Sequence, residues 1–314
     1  MKQHLSLRHF EMLASIAQCE SLAKAAQTLL ITPSALTHRI REAERRLNVL
    51  LYEKQGRNLR PTLAGRILTQ TAERILEDIR QSERVAISSA DGIRHVVRLS
   101  IAVYAAFHWL PDFLPWFRKI NPGIEIEIET QGAQSPFDAL FKGQIDLVIS
   151  PDTVLPGHLD AVDLFNDELV AVVPPGHALA SRAYVSGNDF LNDPFLTYSL
   201  VRQPGYEADR IWTPENVLPP HEENIGSVEA ICELVKAGFG ISILSHWAIF
   251  PQFKSAKLIP IRATRGGLGI TWRAITKSGA SSGAPESILA QSLAVWFHQH
   301  PPAGIMPQAT RPSL

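Results

Sequence analysis

The chain has 314 residues, 45% of them hydrophobic and 19% charged, which is enough to bury the cores of two or three domains and too apolar for a disordered or fibrous polymer. Its longest purely apolar runs, such as residues 169–173, are far shorter than the roughly 20 residues of a membrane span. Met1-Lys2-Gln3-His4-Leu5-Ser6 leads into an amphipathic helical pattern and not into a secretory leader, so a cytoplasmic protein with no membrane partner is expected. The two cysteines, Cys19 and Cys232, offer no disulfide framework, no redox CxxC and no metal-ligand spacing, so no metal site is expected. The net charge of -1 conceals an asymmetry: residues 1–90 carry 14 Lys and Arg against 9 Asp and Glu, and residues 91–314 carry 16 against 22. A cationic front on an acidic body suggests that the front meets a polyanion while the body does something else.

Along the chain, Ser6 and Ser21 are placed to cap two helices, the first carrying Phe10, Leu13 and Ile16 and the second Leu22, Ala25, Ala26 and Leu29. Thr32-Pro33 starts a third, because threonine accepts the orphan backbone amides and proline fits the first helical position. Asn48, which tolerates the left-handed conformation, ends it near Leu47. In that helix Leu36, Ile40, Ala43 and Leu47 recur at spacings of 4, 3 and 4 and must face inward. Ser34, His38, Arg41 and Arg45 fall on the opposite stripe, as suits a recognition helix whose first turns enter the major groove and whose later turns approach phosphate. The stripe alone would also suit a solvated basic face. What favours DNA is the combination of a small-residue helix contact at Ala25-Ala26, a short turn at Leu30-Ile31 and a capped helix, the arrangement of a helix-turn-helix.

Residues 51–62 read as a small hairpin, a wing that sets Lys54, Arg57 and Arg60 toward phosphate or the minor groove. The candidate DNA contacts are therefore Thr32, Pro33, Ser34, Thr37, His38, Arg41, Arg45, Lys54 and Arg57. A long helix follows over 62–89, with Leu68, Ala72, Ile75 and Ile79 on a 4-3-4 seam that is expected to pair two copies of the chain, since paired helix-turn-helix units need a two-fold axis.

Beyond residue 91 the pattern becomes α/β. Strands are expected at 96–103, 124–128, 146–149, 169–173, 195–198, 241–244 and 270–276, and helices at 109–120, 137–142, 207–212, 228–237 and 285–298. The strand-helix-strand rhythm implies mostly parallel sheets. The last strand and helix are expected to return to the first α/β unit, and the proline-rich tail 301–314 to be disordered.

Several segments together resemble the LysR-type transcriptional regulators: Ser21 to Leu29, Thr32 to Arg41, Glu44-Arg45-Arg46-Leu47, Leu59 to Gly65, Gly143 to Ile149 and Gly238-Phe239-Gly240-Ile241. The chain departs from the family pattern at Pro33, where glutamine is frequent, at Ala43 in place of leucine, and at Asn48 in place of glycine. The resemblance implies an α/β protein with an N-terminal winged helix-turn-helix over 1–62, a linker and dimerisation helix over 63–90, and a two-lobed periplasmic-binding-protein-like (type 2) effector domain over 91–300. Its first lobe would span 91–161 and 265–300 and its second 162–264. It further implies double-stranded DNA, a small-molecule effector, a second copy of the chain and RNA polymerase as partners, with no cofactor. Open α/β sheets bind ligands beyond the carboxyl ends of their strands, so the effector residues are sought in those loops: Tyr104, Ala105, Gln131, Gly132, Asp152, Tyr198, Ser199, Arg202 and Ser227. Arg202 is expected to meet a carboxylate and Asp152 an amine, between tyrosine walls. Residues 146–152, 198–202 and 245–247 resemble the methionine-biosynthesis branch of the family, whose effector is homocysteine.

Two other classes compete. An α/β enzyme would account for the body, but none of the GxSxG, GxGxxG, GxxxxGK[ST] or HExxH signatures is present. A solute-binding transport protein would share the two lobes but would have no use for the basic helical front.

Overall fold

A computed structural model of the chain describes residues 4–19, 21–55, 58–88, 94–102, 104, 106–130, 135–152, 154–199, 202, 204–254 and 257–302. The chain divides into two compact units whose main boundary lies between Arg94 and His95. The expected tail falls outside the described residues except for Pro301 and Pro302.

In the first unit, α1 (Leu7–Gln18), α2 (Leu22–Thr28) and α3 (Pro33–Leu47) precede a hairpin of β1 (Tyr52–Gln55) and β2 (Asn58–Pro61), and α4 (Leu63–Ser88) follows. The starts are set locally. Ser21 Oγ accepts the Lys24 amide and Thr32 Oγ1 the Ala35 amide, with Pro33 in the first turn, and Asn48 ends α3 at φ 54°. The turn between α2 and α3 runs through Leu30, also left-handed at φ 54°. Glu44 joins α3 to the hairpin, its carboxylate accepting the backbone amides of Leu51 at 2.9 Å and Tyr52 at 3.2 Å. Gly65 lets α4 pass against the same segment: a Cβ there would sit 2.1 Å from the Leu51 carbonyl oxygen, so no larger residue fits without moving backbone.

The second unit is built on an eight-stranded mixed sheet. Its strands are β3 (His95–Ile101), β4 (Ile124–Ile128), β5 (Leu147–Ser150), β6 (Leu159–Val173), β7 (Tyr184–Val185), β10 (Ser242–Ser245), β11 (Ile259–Ala263) and β12 (Leu268–Lys277), while β8 (Phe195–Thr197) and β9 (Glu222–Asn224) pair separately. The helices are α5 (Leu110–Ile120), α6 (Pro136–Phe141), α7 (Thr213–Glu215, continuing a π-helical turn at Ala208–Trp212), α8 (Val228–Lys236), α9 (Phe250–Lys254) and α10 (Pro285–Gln299). The order is β4-β3-β5-β12-β6-β11-β7, with β10 also on β6. Strand β3 runs parallel to β4 and β5, whereas β12, β11 and β10 pair with β6 antiparallel. The expected mostly parallel sheets are therefore corrected to one mixed sheet.

That correction has a single source. The strand expected at 169–173 is only the last third of a 15-residue β6, whose first part pairs with β12 and whose end pairs with β10 and β11. The expected lobe boundary at 161/162 thus falls inside a continuous strand. Strand β12 returns to pair with β5, and α10 packs on β3 and β6, so β6 and β12 are the two strands that join the lobes. In the first lobe Arg98, 2% exposed, makes a forked pair with Asp146, Nε to Oδ2 at 3.0 Å and Nη2 to Oδ1 at 2.8 Å, while the Arg98 amide also donates to Oδ2. This pairing explains the Asp146 of the Gly143-Gln-Ile-Asp segment: it neutralises a guanidinium that the β3–β5 contact buries.

Candidate DNA interface and effector cleft

On α3 the residues expected to face inward, Leu36, Ile40 and Ala43, are buried, and Ser34, His38, Arg41 and Arg45 are exposed along the opposite stripe. Thr32 and Pro33 are exposed at its start. The Thr32 hydroxyl is engaged as the helix cap and with Ser34 Oγ at 3.0 Å, and Thr37 Oγ1 donates back to the Pro33 carbonyl at 2.9 Å. In the free protein both threonines thus act on the helix itself, leaving the outward stripe to Ser34, His38 and the arginines. Lys54 lies on β1, opposite Leu59; its side chain and the whole of Arg57 lie outside the described residues.

Beside α3 is a concavity of about 530 Å³ lined by Arg8, His9, His38, Arg39, Glu42 and Arg46, among others. The sequence reading missed this flank. Arg8 and Arg39 come from different helices, and the organiser is His9, 3% exposed, whose Nδ1 takes the Ser6 amide at 3.0 Å while Nε2 sits 3.7 Å from Glu42. A capping histidine gives no periodic signal. Tyr52, buried at the base of the hairpin, has its phenol pushed up to about 12 by burial.

The dimerisation seam is corrected in part. Ala72 is fully buried within this chain and Leu68 packs into the same core, because α4 lies along α1. These two positions stabilise the helix-turn-helix unit itself. Ile75 and Ile79 remain partly exposed, and Leu63 and Ile67 are exposed on the same helix.

In the second unit several expected effector residues converge. The Tyr104 hydroxyl accepts the Ser245 amide at 3.2 Å, and its ring meets Tyr198 edge-on with centroids 5.5 Å apart. Burial raises both phenols above the ordinary tyrosine range. Behind Tyr104, buried Asp167 accepts from Ser245 Oγ, the Trp247 amide at 3.1 Å and Trp272 Nε1 at 3.0 Å. That network fixes Tyr104 from a strand the sequence did not tie to it. Asp152, just past β5, accepts from Ser150 Oγ at 2.6 Å, and its carbonyl accepts Arg273 Nη1 at 3.1 Å. Burial raises the Asp152 carboxyl above the ordinary carboxylate range.

Two residues absent from the sequence-based set belong to this cluster. Tyr206 is 3% exposed, and burial, with the neighbouring Tyr198 and Asp152, raises its phenol well above the ordinary tyrosine range. Half-buried Glu207 has its carboxyl raised, chiefly by burial. Arg202, expected to meet a ligand carboxylate, is exposed and offsets the charge of Glu207. Ser199 bonds through its backbone to Thr197 Oγ1. Ser227 caps α8 by accepting the Ala230 amide and donates to Glu229. Ala105, Gln131 and Gly132 lie outside the described residues. A cavity of about 310 Å³ opens beside Tyr104, lined by Phe107, His108, Val228, Glu229 and Cys232, among others. The Cys232 thiol is pushed up to about 11 by burial, which keeps it neutral and unreactive. His108 packs on Trp247 and His246 on Phe250 and Phe253. Burial holds both imidazoles below the ordinary histidine range. Among the described residues no helix is long and apolar enough to cross a membrane and no group of three or more His, Cys, Asp or Glu could hold a metal ion.

A winged helix-turn-helix with a free polar and cationic recognition stripe, followed by two α/β lobes with a polar cluster at their strand ends, defines a ligand-responsive DNA-binding protein. The bacterial regulatory helix-turn-helix protein, lysR family, matches residues 7–66, and the LysR substrate binding domain matches residues 90–297. The chain belongs to the LysR family and is a DNA-binding transcriptional regulator controlled by a small molecule. It is 28% identical over 275 residues to the HTH-type transcriptional regulator MetR of Escherichia coli (strain K12), covering 88% of this chain and 85% of that one. To MetR of Haemophilus influenzae it is 24% identical, covering 84% and 85%. Among solved structures it shares its fold with full-length CbnR, a LysR family regulator (TM-score 0.66, 17% identity, 92% of this chain and 98% of that one). It also shares it with the regulatory domain of NMB2055 (MetR) from N. meningitidis (TM-score 0.54, 21% identity, 68% and 98%).

Proposed function

We propose that this regulator belongs to the methionine-biosynthesis branch and that its effector is a small amino acid, homocysteine first among them, held between the lobes by Tyr104, Asp152, Tyr198 and their neighbours. The observation that carries the reading is the convergence of these residues from separate loops on one polar cluster, in a chain whose similarity to MetR extends over most of its length. The domain limits that serve it are a winged helix-turn-helix over 1–62, the α4 helix over 63–90 and the effector domain over 91–300.

DNA contact is assigned to Ser34, His38, Arg41 and Arg45, with Thr32, Pro33 and Thr37 shaping the entry to the helix and Lys54 and Arg57 reaching out from the wing. Pairing of two copies runs through α4 beyond its contact with α1, at Ile75 and Ile79. The protein acts in the cytoplasm on double-stranded DNA and engages RNA polymerase. The test is a binding titration of the full chain on interrupted palindromes with half-sites about one helical turn apart, or a multiple, with and without homocysteine. His38→Ala and Ser34→Ala are expected to lose about 1–3 kcal/mol of discrimination against random DNA per base contact removed. Equal loss on cognate and random DNA would move those residues to phosphate contacts.

A further inference from the structure

We infer that the concavity beside α3 is a phosphate site, in which Arg8 from the start of α1 and Arg39 from the flank of α3 hold one DNA phosphodiester next to the bases that the outward stripe reads. The inference rests on the reading of α3 as the recognition helix and deepens it with a contact from a helix that this reading leaves unused.

Helix geometry brings these groups together. At about 100° per residue, Ala35, Arg39, Glu42 and Arg46 form a third stripe on α3, set between the outward stripe and the buried one. All four line the concavity, and Ser6, Arg8 and His9 at the start of α1 close its other wall. His38 belongs both to this lining and to the outward stripe, so the concavity borders the recognition face directly. When the outward stripe of a recognition helix lies in the major groove, the sugar-phosphate backbone runs along its flanks. A cationic flank therefore meets phosphate and not base edges.

The lining carries positive charge that its own side chains leave uncancelled. Its carboxylate, Glu42, is taken by Arg46, whose other terminal nitrogen donates to the His4 carbonyl at 3.2 Å. Among the described residues neither Arg8 nor Arg39 is paired with a carboxylate, and α1 begins here with no acidic residue in its first turn, so its dipole adds to the same potential. His9 supplies a second, independent observation. Its Nδ1 accepts the Ser6 amide at 3.0 Å, which leaves the proton of a neutral ring on Nε2. That Nε2 is buried without a hydrogen-bond partner, and the Glu42 carboxylate facing it stands at 3.7 Å, too long for a hydrogen bond. A wall with two unpaired guanidiniums and an unmet buried donor calls for an anion rich in oxygens. A phosphodiester supplies one, in a form that planar guanidiniums grip well, and the open concavity of about 530 Å³ admits it with its sugars attached.

The test is the affinity of the full chain for an interrupted palindrome and for a random duplex over a series of NaCl concentrations, in the natural protein and in Arg8→Gln/Arg39→Gln. The double variant is expected to weaken both complexes by the same factor and to lower the slope of log affinity against log salt by about 0.9, the value for one phosphate contact. Arg8→Lys/Arg39→Lys, which keeps both charges, should recover most of that slope, a result that a merely structural role would not give; the melting temperature of each variant reports whether the fold is kept. Inorganic phosphate at fixed ionic strength separates the two sources of the anion. Phosphate that raises the melting temperature of the natural protein and not of the double glutamine variant, while the DNA salt slope is the same in both, would assign the site to a free anion and overturn the DNA contact. An unchanged slope without phosphate binding, or weakening confined to the palindrome, would overturn it as well. A natural protein that does not prefer the palindrome would instead sink the reading of α3 on which the inference rests.

Discussion

Removing the Glu44 carboxylate tests how the recognition helix and the wing are held as one body. Glu44 sits on α3 and accepts the amides of Leu51 and Tyr52 at 2.9 and 3.2 Å; Leu51 is fully buried and Tyr52 nearly so. In Glu44→Ala both amides lose their acceptor at the point where the chain enters β1. A hydrogen bond to a charged group contributes about 1.5–3 kcal/mol. The two share one oxygen and Glu44 is itself partly exposed, so the pair is expected to contribute about 2–4 kcal/mol and not the full sum. For a unit of this size about 1 kcal/mol moves the melting temperature by roughly 4–8 °C. Hydrogen exchange on the full chain gives the sharper assay: protection at Leu51 and Tyr52 should fall well before that at Leu36 and Ile40, and Glu44→Gln, which keeps a neutral acceptor, should lie between. Unchanged protection at both amides in Glu44→Ala would refute the reasoning.

Three further outcomes follow from particular contacts. Leu30 is 92% exposed and left-handed at φ 54°, a conformation that costs a residue with a side chain about 1–2 kcal/mol, so Leu30→Gly should raise the denaturation midpoint by the equivalent of about 0.5–1 kcal/mol after glycine's greater unfolded-state freedom; urea titration checks it. Asp146→Ala removes the forked carboxylate partner of the buried Arg98 guanidinium and should destabilise the second unit by about 3–5 kcal/mol, measured by calorimetry, with Asp146→Ala/Arg98→Met less damaging than the single change. Burial raises the carboxyls of Asp152 and Glu207 in the folded state, so the free protein lacks their stabilisation at neutral pH and regains it as pH falls through the raised values to the ordinary carboxylate range near about pH 4. The groups acting on this pair are Tyr198, Tyr206, Ser150, Arg202, Asp209 and Glu222. Asp152→Asn should therefore raise the melting temperature most at neutral pH, with the gain shrinking on acidification; a gain that grows instead contradicts the burial argument.

The sequence was most legible where structure is set locally. The Thr32-Pro33 start and the Asn48 stop bracket α3 because cap and backbone conformation belong to adjacent residues, and α5 announced its buried face by the helical spacing of Leu110, Phe113 and Phe117. It was least legible where partners lie far apart in the chain. The first part of β6 carries Asp160, Asp163, Asn166 and Asp167 and reads as a polar loop, although Arg273 pairs with Asp163 and buried donors from β10, β12 and the turn after β10 converge on Asp167. Heptad spacing alone does not say which helix covers a seam, and for Leu68 and Ala72 the answer was α1 of the same chain. Tyr206 escaped notice for the same reason: nothing near Gly205 in sequence announces that its ring is buried, and only the fold covers it.

The central claim is that a small-molecule effector, bound at the strand ends, controls DNA binding by the winged helix-turn-helix. The most direct measurement is fluorescence anisotropy of a labelled interrupted palindrome titrated with the full chain, with and without saturating homocysteine, for the natural protein and for Asp152→Asn. The account predicts sequence-specific binding by both, a shift in affinity when homocysteine is added to the natural protein, and a shift in Asp152→Asn only at about tenfold higher homocysteine. Specific DNA binding that no amino acid alters, or an identical homocysteine dependence in the two proteins, would contradict it.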